Sequence, residues 1–187
     1  MAMPAARVRV TLEQLHALPD DGNRYELIDG ELFVSPAPTW VHQRVQAALH
    51  LLLAPYAVST GLEVFMAPIA VRVPPDTEVQ PDVLLIPRLS QVTTPEGWLL
   101  LRRLSLVVEI LSPSTARTDR QQKRLLYGSE SVPVYWMFDM KRRQVECWHP
   151  GDVQGSIEQN TLTLDLSPDT PPLVTDLPTF FRSVLDD

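Results

Sequence analysis

The stretch that decides the fold runs from residue 80 to residue 127 and contains three short motifs. It begins with QPD at residues 80–82, continues with LVVEILSPST at residues 106–115, and ends with DRQQKRLLY at residues 119–127. One carboxylate opens an apolar run, a second interrupts another, and a lysine follows on a predicted helix. Two acids and a lysine are the residue types that metal-assisted cleavage of a phosphodiester needs, and this spacing can bring them together.

The two acids differ in what their surroundings predict. Asp82 follows a proline that has no ladder donor, so it marks a strand start, and taken alone it is best explained as a terminal acid facing water. Glu109 lies inside an apolar run, where an unpaired charge is costly. It either faces outward from an edge strand or, in a buried strand, binds a divalent ion. Magnesium is often held by one or two carboxylates, with water and phosphate as the other ligands.

The predicted helix after residues 112–115 carries Asp119, Lys123 and Tyr127 at i, i+4 and i+8, so the three lie near one face. Lysine occurs at only one other position, although the chain has 16 Lys and Arg residues in total. If this face packs over the strand end that carries Glu109, Lys123 would stabilise the phosphate or orient the attacking water. The alternative is a solvent-exposed Asp–Lys pair.

The remaining pattern predicts one mixed α/β domain over residues 1–187. An Asp29-Gly30 turn indicates a hairpin, a capping box at Thr11 starts a helix, and Pro55 bounds another. The predicted helices are residues 11–18, 39–54, 115–130 and 177–185; the predicted strands are 24–35 (the hairpin), 63–73, 83–86, 104–111, 134–139, 144–148 and 156–166 (a strand or hairpin); residues 90–102 are predicted as a loop with a helical turn.

Composition excludes several classes of protein. No apolar run reaches the ~20 residues of a membrane span, and the N-terminus lacks a secretory pattern. The single cysteine, Cys147, excludes an internal disulfide and fits a cytoplasmic location. The net charge of −7 argues against nonspecific coating of nucleic acid but leaves a nuclease possible, because an acidic metal site is itself negative.

In their order along the chain, these motifs resemble the Uma2 family of the PD-(D/E)XK nuclease superfamily. The resemblance covers about residues 11–150. It rests on YELIDGEL at 25–32, SPAP at 35–38 with His42, Pro81-Asp82, EILSPS at 109–114, Asp119, Lys123, Tyr127, and VYW at 134–136. The family implies a restriction-endonuclease-like α/β fold, with a central mixed β-sheet flanked by helices on both faces.

The resemblance also implies site residues. The two acids of the superfamily fall on Asp82 and Glu109, which would bind Mg²⁺ or Mn²⁺. The superfamily pattern places a lysine two residues after the second acid, where this chain has Leu111. A migrated lysine, Lys123, is therefore expected to take that role. Glu26 either completes the acidic cluster from the hairpin or is a surface strand residue.

Three further interpretations stay open. His42 could contact phosphate or water, although a helix-surface histidine is favoured. Tyr127 either hydrogen-bonds into the site or anchors its helix to the sheet. Tyr135, Trp136 and Trp148 are interpreted as core or interface aromatics.

The leading hypothesis is a Mg²⁺- or Mn²⁺-dependent endonuclease that acts on DNA, with Asp82, Glu109, Lys123 and Glu26 as catalytic residues. Duplex cutting needs two sites, so a homodimer is expected, with aromatics near the 134–148 hairpin as a possible interface. One rival is a catalytically silent module that binds nucleic acid or protein on a nuclease scaffold. A weaker rival is a hydrolase for another phosphate ester.

Overall fold

The computed structural model describes residues 9–88 and 93–186. The helices are α1 (Leu12–His16), α2 (Trp40–Thr60), α3 (Ala116–Thr118), α4 (Arg124–Ser129) and α5 (Leu177–Leu185). A π-helical turn, Asp119–Lys123, joins α3 to α4, and a 3₁₀ turn spans Leu101–Arg103. The strands are β1 (Arg24–Ile28), β2 (Glu31–Ser35), β3 (Glu63–Met66), β4 (Val71–Val73), β5 (Thr77–Val79), β6 (Val83–Ile86), β7 (Leu99–Leu100), β8 (Leu106–Ile110), β9 (Val134–Asp139), β10 (Gln144–Trp148), β11 (Ser156–Glu158), β12 (Thr161–Leu164) and β13 (Leu173–Asp176).

A six-stranded mixed sheet forms the centre of the molecule. Its strand order is β11-β10-β9-β8-β6-β3, in which β8 and β9 are parallel and the other neighbours are antiparallel. A second sheet has the order β2-β1-β5-β4-β7, and β12 pairs with β13 in a separate ribbon. Strand β8 therefore lies inside the central sheet, between β6 and β9.

Alternate side chains of the central strands enter two hydrophobic cores. Val83, Leu106 and Val108 pack in one core with residues of α2 and α5. Leu84 and Val107 pack in the other core with residues of α4 and the second sheet. Successive strand residues point to opposite faces of the sheet. Because each face is covered by one of the two cores, the central strands carry apolar residues on both sides. The predicted fold, a mixed sheet flanked by helices on both faces, is confirmed.

Local turn chemistry was a good guide to several elements. Asp29 and Gly30 have φ angles of 49° and 76°, as a type I′ turn requires, and Ile28 pairs with Glu31. Thr11 and Gln14 form the predicted capping box. The predicted closing helix is α5, and the Asp176 side chain caps it by accepting from the Thr179 amide.

The predicted end of α2 at residue 54 is wrong, because the helix continues through Pro55 to Thr60. A proline in a helix removes the hydrogen bond to the carbonyl four residues earlier, here that of Leu51. Both Pro55 and Leu51 are exposed, so water can satisfy that carbonyl. The last helical residue is Thr60, and Gly61, with a left-handed φ of 72°, caps the C-terminus.

Two predicted strands are wrong in extent. Residues 63–73 split into β3 and β4, which belong to different sheets, and Pro68 between them cannot donate to a ladder. Residues 156–166 are not a hairpin: β11 pairs with β10, and β12 pairs with the unpredicted β13. The short strand β5 was also not predicted.

The predicted loop at residues 90–102 lies partly outside the described residues. Within the described part, Leu99–Leu100 pairs with β4, and Leu101–Arg103 supplies the predicted helical turn in 3₁₀ form. In the ranges 9–88 and 93–186, no helix combines the length and the apolar character needed to cross a bilayer.

Candidate active site

Asp82 lies just before β6 and is held by three donors. Its Oδ1 accepts from Arg24 Nη1 at 2.9 Å, and its Oδ2 accepts from the Ile110 amide at 2.7 Å and from His42 Nε2 at 3.1 Å. The side chain is buried. The interpretation of Asp82 as an acid facing water is therefore wrong. At the start of β6, Asp82 is covered by β1 on one side and by α2 on the other.

Glu109 lies on β8 beside Asp82. Because Val83 pairs with Val108 in the antiparallel ladder of β6 and β8, the next residues outward are Asp82 and Glu109. Glu109 is 1% exposed, and its Oε1 accepts from Lys123 Nζ at 2.9 Å and from the Tyr127 hydroxyl at 2.8 Å. The alternative of an outward-facing glutamate on an edge strand is wrong.

Lys123 joins several acids in the interior. Its Nζ lies 2.9 Å from Glu26 Oε1, 2.9 Å from Glu109 Oε1 and 3.6 Å from Asp119 Oδ1. The side chain is 1% exposed, so the alternative of a solvent-exposed Asp–Lys pair is wrong. The π-helical turn contains both Asp119 and Lys123, and turns of this kind are frequent at functional sites.

Glu26 and His42 also belong to this centre. Glu26 is buried, and its Oε1 accepts from the Gln80 amide at 2.7 Å as well as facing Lys123, so the surface alternative is wrong. His42 is buried against Asp82, so the favoured helix-surface interpretation of this histidine is also wrong. His42 lies off the main apolar stripe of its helix, so the hydrophobic pattern alone did not show that it is buried.

Tyr127 combines both predicted roles. Its hydroxyl donates to Glu109, and its ring packs edge-on against Tyr135 with centroids 4.7 Å apart. Tyr135 and Trp136 are buried core residues. Trp148 is partly buried beneath the Arg124 guanidinium, which lies 4.6 Å from its ring centroid.

The pKa values of Asp82 and Lys123 favour their charged forms. Burial opposes the charge of Asp82, but the hydrogen bond from His42 and the charge of Arg24 lower its pKa to about 2. Burial likewise opposes the charge of Lys123, but Glu109 and the other nearby carboxylates raise its pKa above the ordinary value. Lys123 is therefore protonated at neutral pH.

Glu109 and Asp119 are shifted in the opposite sense. Burial raises the pKa of Glu109 well above its usual range although Lys123 opposes the shift. Burial raises the pKa of Asp119 to about 6, again against the influence of Lys123. Both carboxylates therefore lack the cationic surroundings that would fully offset their burial.

A count of the charged side chains also shows that the acids of the centre are not fully offset by bases. The centre holds four buried carboxylates and two fixed cations, so acids exceed bases by two when His42 is neutral. The carboxylates are Glu26, Asp82, Glu109 and Asp119; the cations are Arg24 and Lys123. An excess of two acidic side chains, whose oxygens are the donors that hard divalent cations prefer, matches the binding of such a cation.

The donor set therefore fits a divalent cation of the Mg²⁺ type. Within residues 9–88 and 93–186, no three His, Cys, Asp or Glu side chains already form a group that could hold a metal ion. Magnesium does not need such a group, because water and substrate phosphate commonly supply most of its ligands. Asp82, just before β6, and Glu109, on the neighbouring strand β8, are the acids that the sequence predicted for this role.

A cavity of about 550 Å³ opens beside Asp82. Its lining includes Arg24, His42 and Asp82 together with Tyr25 and Gln46. The Gln46 amide also donates to the Asp82 carbonyl at 2.8 Å, which ties α2 to the start of β6. The cavity gives a ligand access to the Asp82 side of the centre.

Arg24 and Gln46 were missed by the sequence interpretation. Arg24 is two residues before Glu26 on β1, and residues at i and i+2 of a strand share a face. This alternation was the available signal for Arg24. Gln46 follows His42 by one helical turn, so the same helix face carries both, but an isolated glutamine has no distinguishing pattern.

The fold and the centre define a restriction-endonuclease-like α/β protein, in which acids from neighbouring strand ends meet a helix-borne lysine. The chain belongs to the Uma2 family, whose profile is described as "Putative restriction endonuclease" and matches residues 12–182. A solved structure from Anabaena variabilis ATCC 29413, described as "a putative nuclease belonging to DUF820", superposes with a TM-score of 0.74. The two chains are 17% identical, and the alignment covers 94% of this chain and 99% of the other.

At that identity the similarity shows the fold alone. A search of curated proteins found no match.

Proposed function

We propose that the protein is a metal-dependent endonuclease that hydrolyses phosphodiester bonds in DNA. The observation that supports this most strongly is the buried Lys123, which hydrogen-bonds Glu109 beside Asp82. A buried lysine among acids at strand ends is an arrangement suited to phosphate chemistry. The family description and the fold of the Anabaena protein agree with a nuclease.

Asp82 and Glu109 would hold Mg²⁺ or Mn²⁺, which supplies a water of lowered pKa and offsets charge on the scissile phosphate. Lys123 remains charged and lies ready to stabilise the negative charge that develops at phosphorus. Glu26 anchors the lysine, since it contacts Nζ while the Gln80 amide fixes the glutamate. The Tyr127 hydroxyl orients Glu109.

Arg24 and His42 act on Asp82 rather than on the substrate in the present geometry. Each donates to a different carboxylate oxygen, which fixes the plane of the carboxylate. Such supporting contacts affect ligand orientation and metal affinity. Both side chains also line the cavity, so an incoming phosphate would meet the charged Arg24 guanidinium near its entrance to the centre.

DNA is the first substrate to test because restriction endonucleases cut DNA. Cutting both strands of a duplex needs two active sites, so a homodimer forms part of the proposal. Tyr135 and Trp136 lie in the core, so they are not available as its interface. Light scattering on the purified chain measures the oligomeric state directly.

Cleavage of supercoiled plasmid and of single-stranded DNA with Mg²⁺, Mn²⁺ or EDTA tests the proposed activity. Metal-dependent cutting by the wild type that Asp82→Ala abolishes would support it. Asp82 also makes three structural hydrogen bonds, so Glu109→Gln is purified in parallel and the folding of both variants is checked by circular dichroism. Equal cutting by all three proteins would identify a contaminant and count against the proposal.

A second candidate function is a catalytically silent module that binds nucleic acid or protein. Both oxygens of Asp82 already accept hydrogen bonds from protein donors, which is also what a purely structural acid would do. This reading predicts no cation binding to the folded protein. Tight binding of DNA without cleavage under any metal condition would favour it.

A further inference from the structure

Asp119 differs from the other acids of the centre in its hydrogen bonding. Both of its carboxylate oxygens are buried without a donor at normal hydrogen-bond geometry among the described residues, and the residue is 1% exposed. Burial raises the pKa of Asp119 by more than the nearby Thr115 hydroxyl lowers it. Its nearest cation is Lys123 Nζ, 3.6 Å from Oδ1, which is beyond hydrogen-bond distance. A buried carboxylate in this state is energetically unfavourable unless a ligand supplies the missing contacts.

The other three carboxylates have the donors that Asp119 lacks. Asp82 accepts from two side chains and a backbone amide, and Glu109 accepts from Lys123 and Tyr127. Glu26 accepts from a backbone amide and faces Lys123. Each of these three carboxylates thus has at least one oxygen with a donor at hydrogen-bond length, and Asp119 differs because neither of its oxygens has one.

The side chain of Asp119 is not needed to hold its own backbone. The Asp119 amide donates to the Thr115 carbonyl at 2.9 Å, and the Asp119 carbonyl accepts from the Tyr135 hydroxyl at 3.3 Å. Both backbone groups of Asp119 are thus held without its side chain. The carboxylate itself has one ion-pair contact, the 3.6 Å approach of Lys123 Nζ.

We propose that Asp119 is a further cation-binding residue of the centre, whose free oxygens bind the divalent ion through its water shell. This inference rests on the proposed metal-dependent function. Contact through water is favoured because no group of three metal-binding side chains converges directly in the described part of the chain. Magnesium dehydrates reluctantly and usually keeps several waters, which need acceptors around them.

The alternative role is that of an ion-pair partner for Lys123. The two roles predict opposite effects of Asp119→Asn on the metal-free protein. If Asp119 awaits a cation, removing its uncompensated charge leaves thermal stability unchanged or raises it. If Asp119 instead stabilises the charge of Lys123 as its ion-pair partner, the same change lowers the thermal stability of the metal-free protein and leaves its cation affinity intact.

Calorimetric titration of Mn²⁺ into the EDTA-dialysed full chain, with thermal unfolding of the same metal-free samples, separates these roles. We expect Asp119→Asn to weaken Mn²⁺ binding by about tenfold or more, with a metal-free midpoint at or above that of the wild type. The conservative variant Asp119→Glu keeps the charge and should retain more affinity than Asp119→Asn.

Asp139→Asn is the matched control. Asp139 is also buried, but it is paired with Arg120 and Arg142. This variant should lower the midpoint and leave Mn²⁺ affinity within about twofold, since its partners lie outside the centre.

Wild-type affinity in Asp119→Asn would overturn the inference and leave the proposed function standing. A wild-type protein that binds no Mn²⁺ would overturn the inference and the metal-dependent function together. A lowered metal-free midpoint with unchanged affinity would identify Asp119 as the ion-pair partner of Lys123 instead.

Discussion

Two of the clusters of charged side chains in the described part of the chain differ in balance and depth. The outer cluster pairs Asp139 and Glu146 with Arg120 and Arg142, two acids with two bases. The Arg142 side chain is 62% exposed. The acidic centre around Lys123 instead has four acids and two bases, and Lys123 is 1% exposed.

This difference in charge balance and burial suits the outer cluster to stabilising the fold and the acidic centre to binding a ligand. A balanced, partly exposed cluster satisfies its own charges and needs no ligand. An unbalanced, buried cluster keeps charges that the fold alone does not compensate, which is typical of functional sites. Changing one cluster at a time tests this contrast.

The largest effect is expected from Glu109→Gln on DNA cleavage. The variant keeps the side-chain volume but removes one of the two acids proposed to hold the metal, so the Mn²⁺-dependent rate should fall about a thousandfold or more. Asp139→Asn, in the outer cluster, should cut within about twofold of the wild-type rate if it remains folded. Similar losses in both variants would remove the distinction between the clusters.

Lys123→Arg should reduce cleavage by about a hundredfold although the positive charge is retained. The lysine is enclosed, and the guanidinium is larger and planar, so it cannot contact Glu26 and Glu109 in the same way. Single-turnover cleavage assays at saturating Mn²⁺ measure the effect. Full activity would exclude Lys123 from the mechanism.

Asp82→Asn should lower the free energy of unfolding by about 2 kcal/mol at pH 7. The pKa of Asp82 is about 2 in the folded protein and 3.8 ordinarily, so its charge stabilises the fold above pH 3.8. That contribution is lost as the pH falls from 3.8 towards 2. Urea unfolding should therefore show a difference from the wild type that narrows below pH 4; a difference independent of pH would contradict this expectation.

The smallest effect is expected from Arg142→Ala in the outer cluster. Its exposed guanidinium should contribute less than about 1 kcal/mol to stability, and the contribution should shrink in 1 M salt. Urea unfolding at low and high salt measures both values. A decrease of several kcal/mol in the free energy of unfolding would show that the outer cluster behaves like a buried one.

Sequence patterns predicted the parts of this molecule that are determined locally. The Asp29-Gly30 turn, the Thr11 capping box and the apolar runs of β6 and β8 each depend on neighbouring residues, and each was correct. The i, i+4, i+8 spacing of Asp119, Lys123 and Tyr127 also predicted that the three share one face, but it left open whether that face was buried; all three are buried.

The errors came from tertiary context. Pro55 continues its helix because the carbonyl it leaves unpaired faces solvent, which no local pattern records. His42 is buried because β6 places Asp82 against α2, a contact across 40 residues of chain. The burial of Glu26 depends in the same way on Gln80 and Lys123, so sequence alone could weigh it only evenly against a surface position.

Calorimetric titration of Mn²⁺ into wild type, Glu109→Gln and Asp139→Asn tests the central claim most directly, because it measures cation binding without assuming a substrate. The account predicts binding to the wild type and to Asp139→Asn, and loss of binding in Glu109→Gln. Absence of binding in the folded wild type, or equal binding by all three proteins, would contradict the claim that the uncompensated charge of the acidic centre serves a divalent cation.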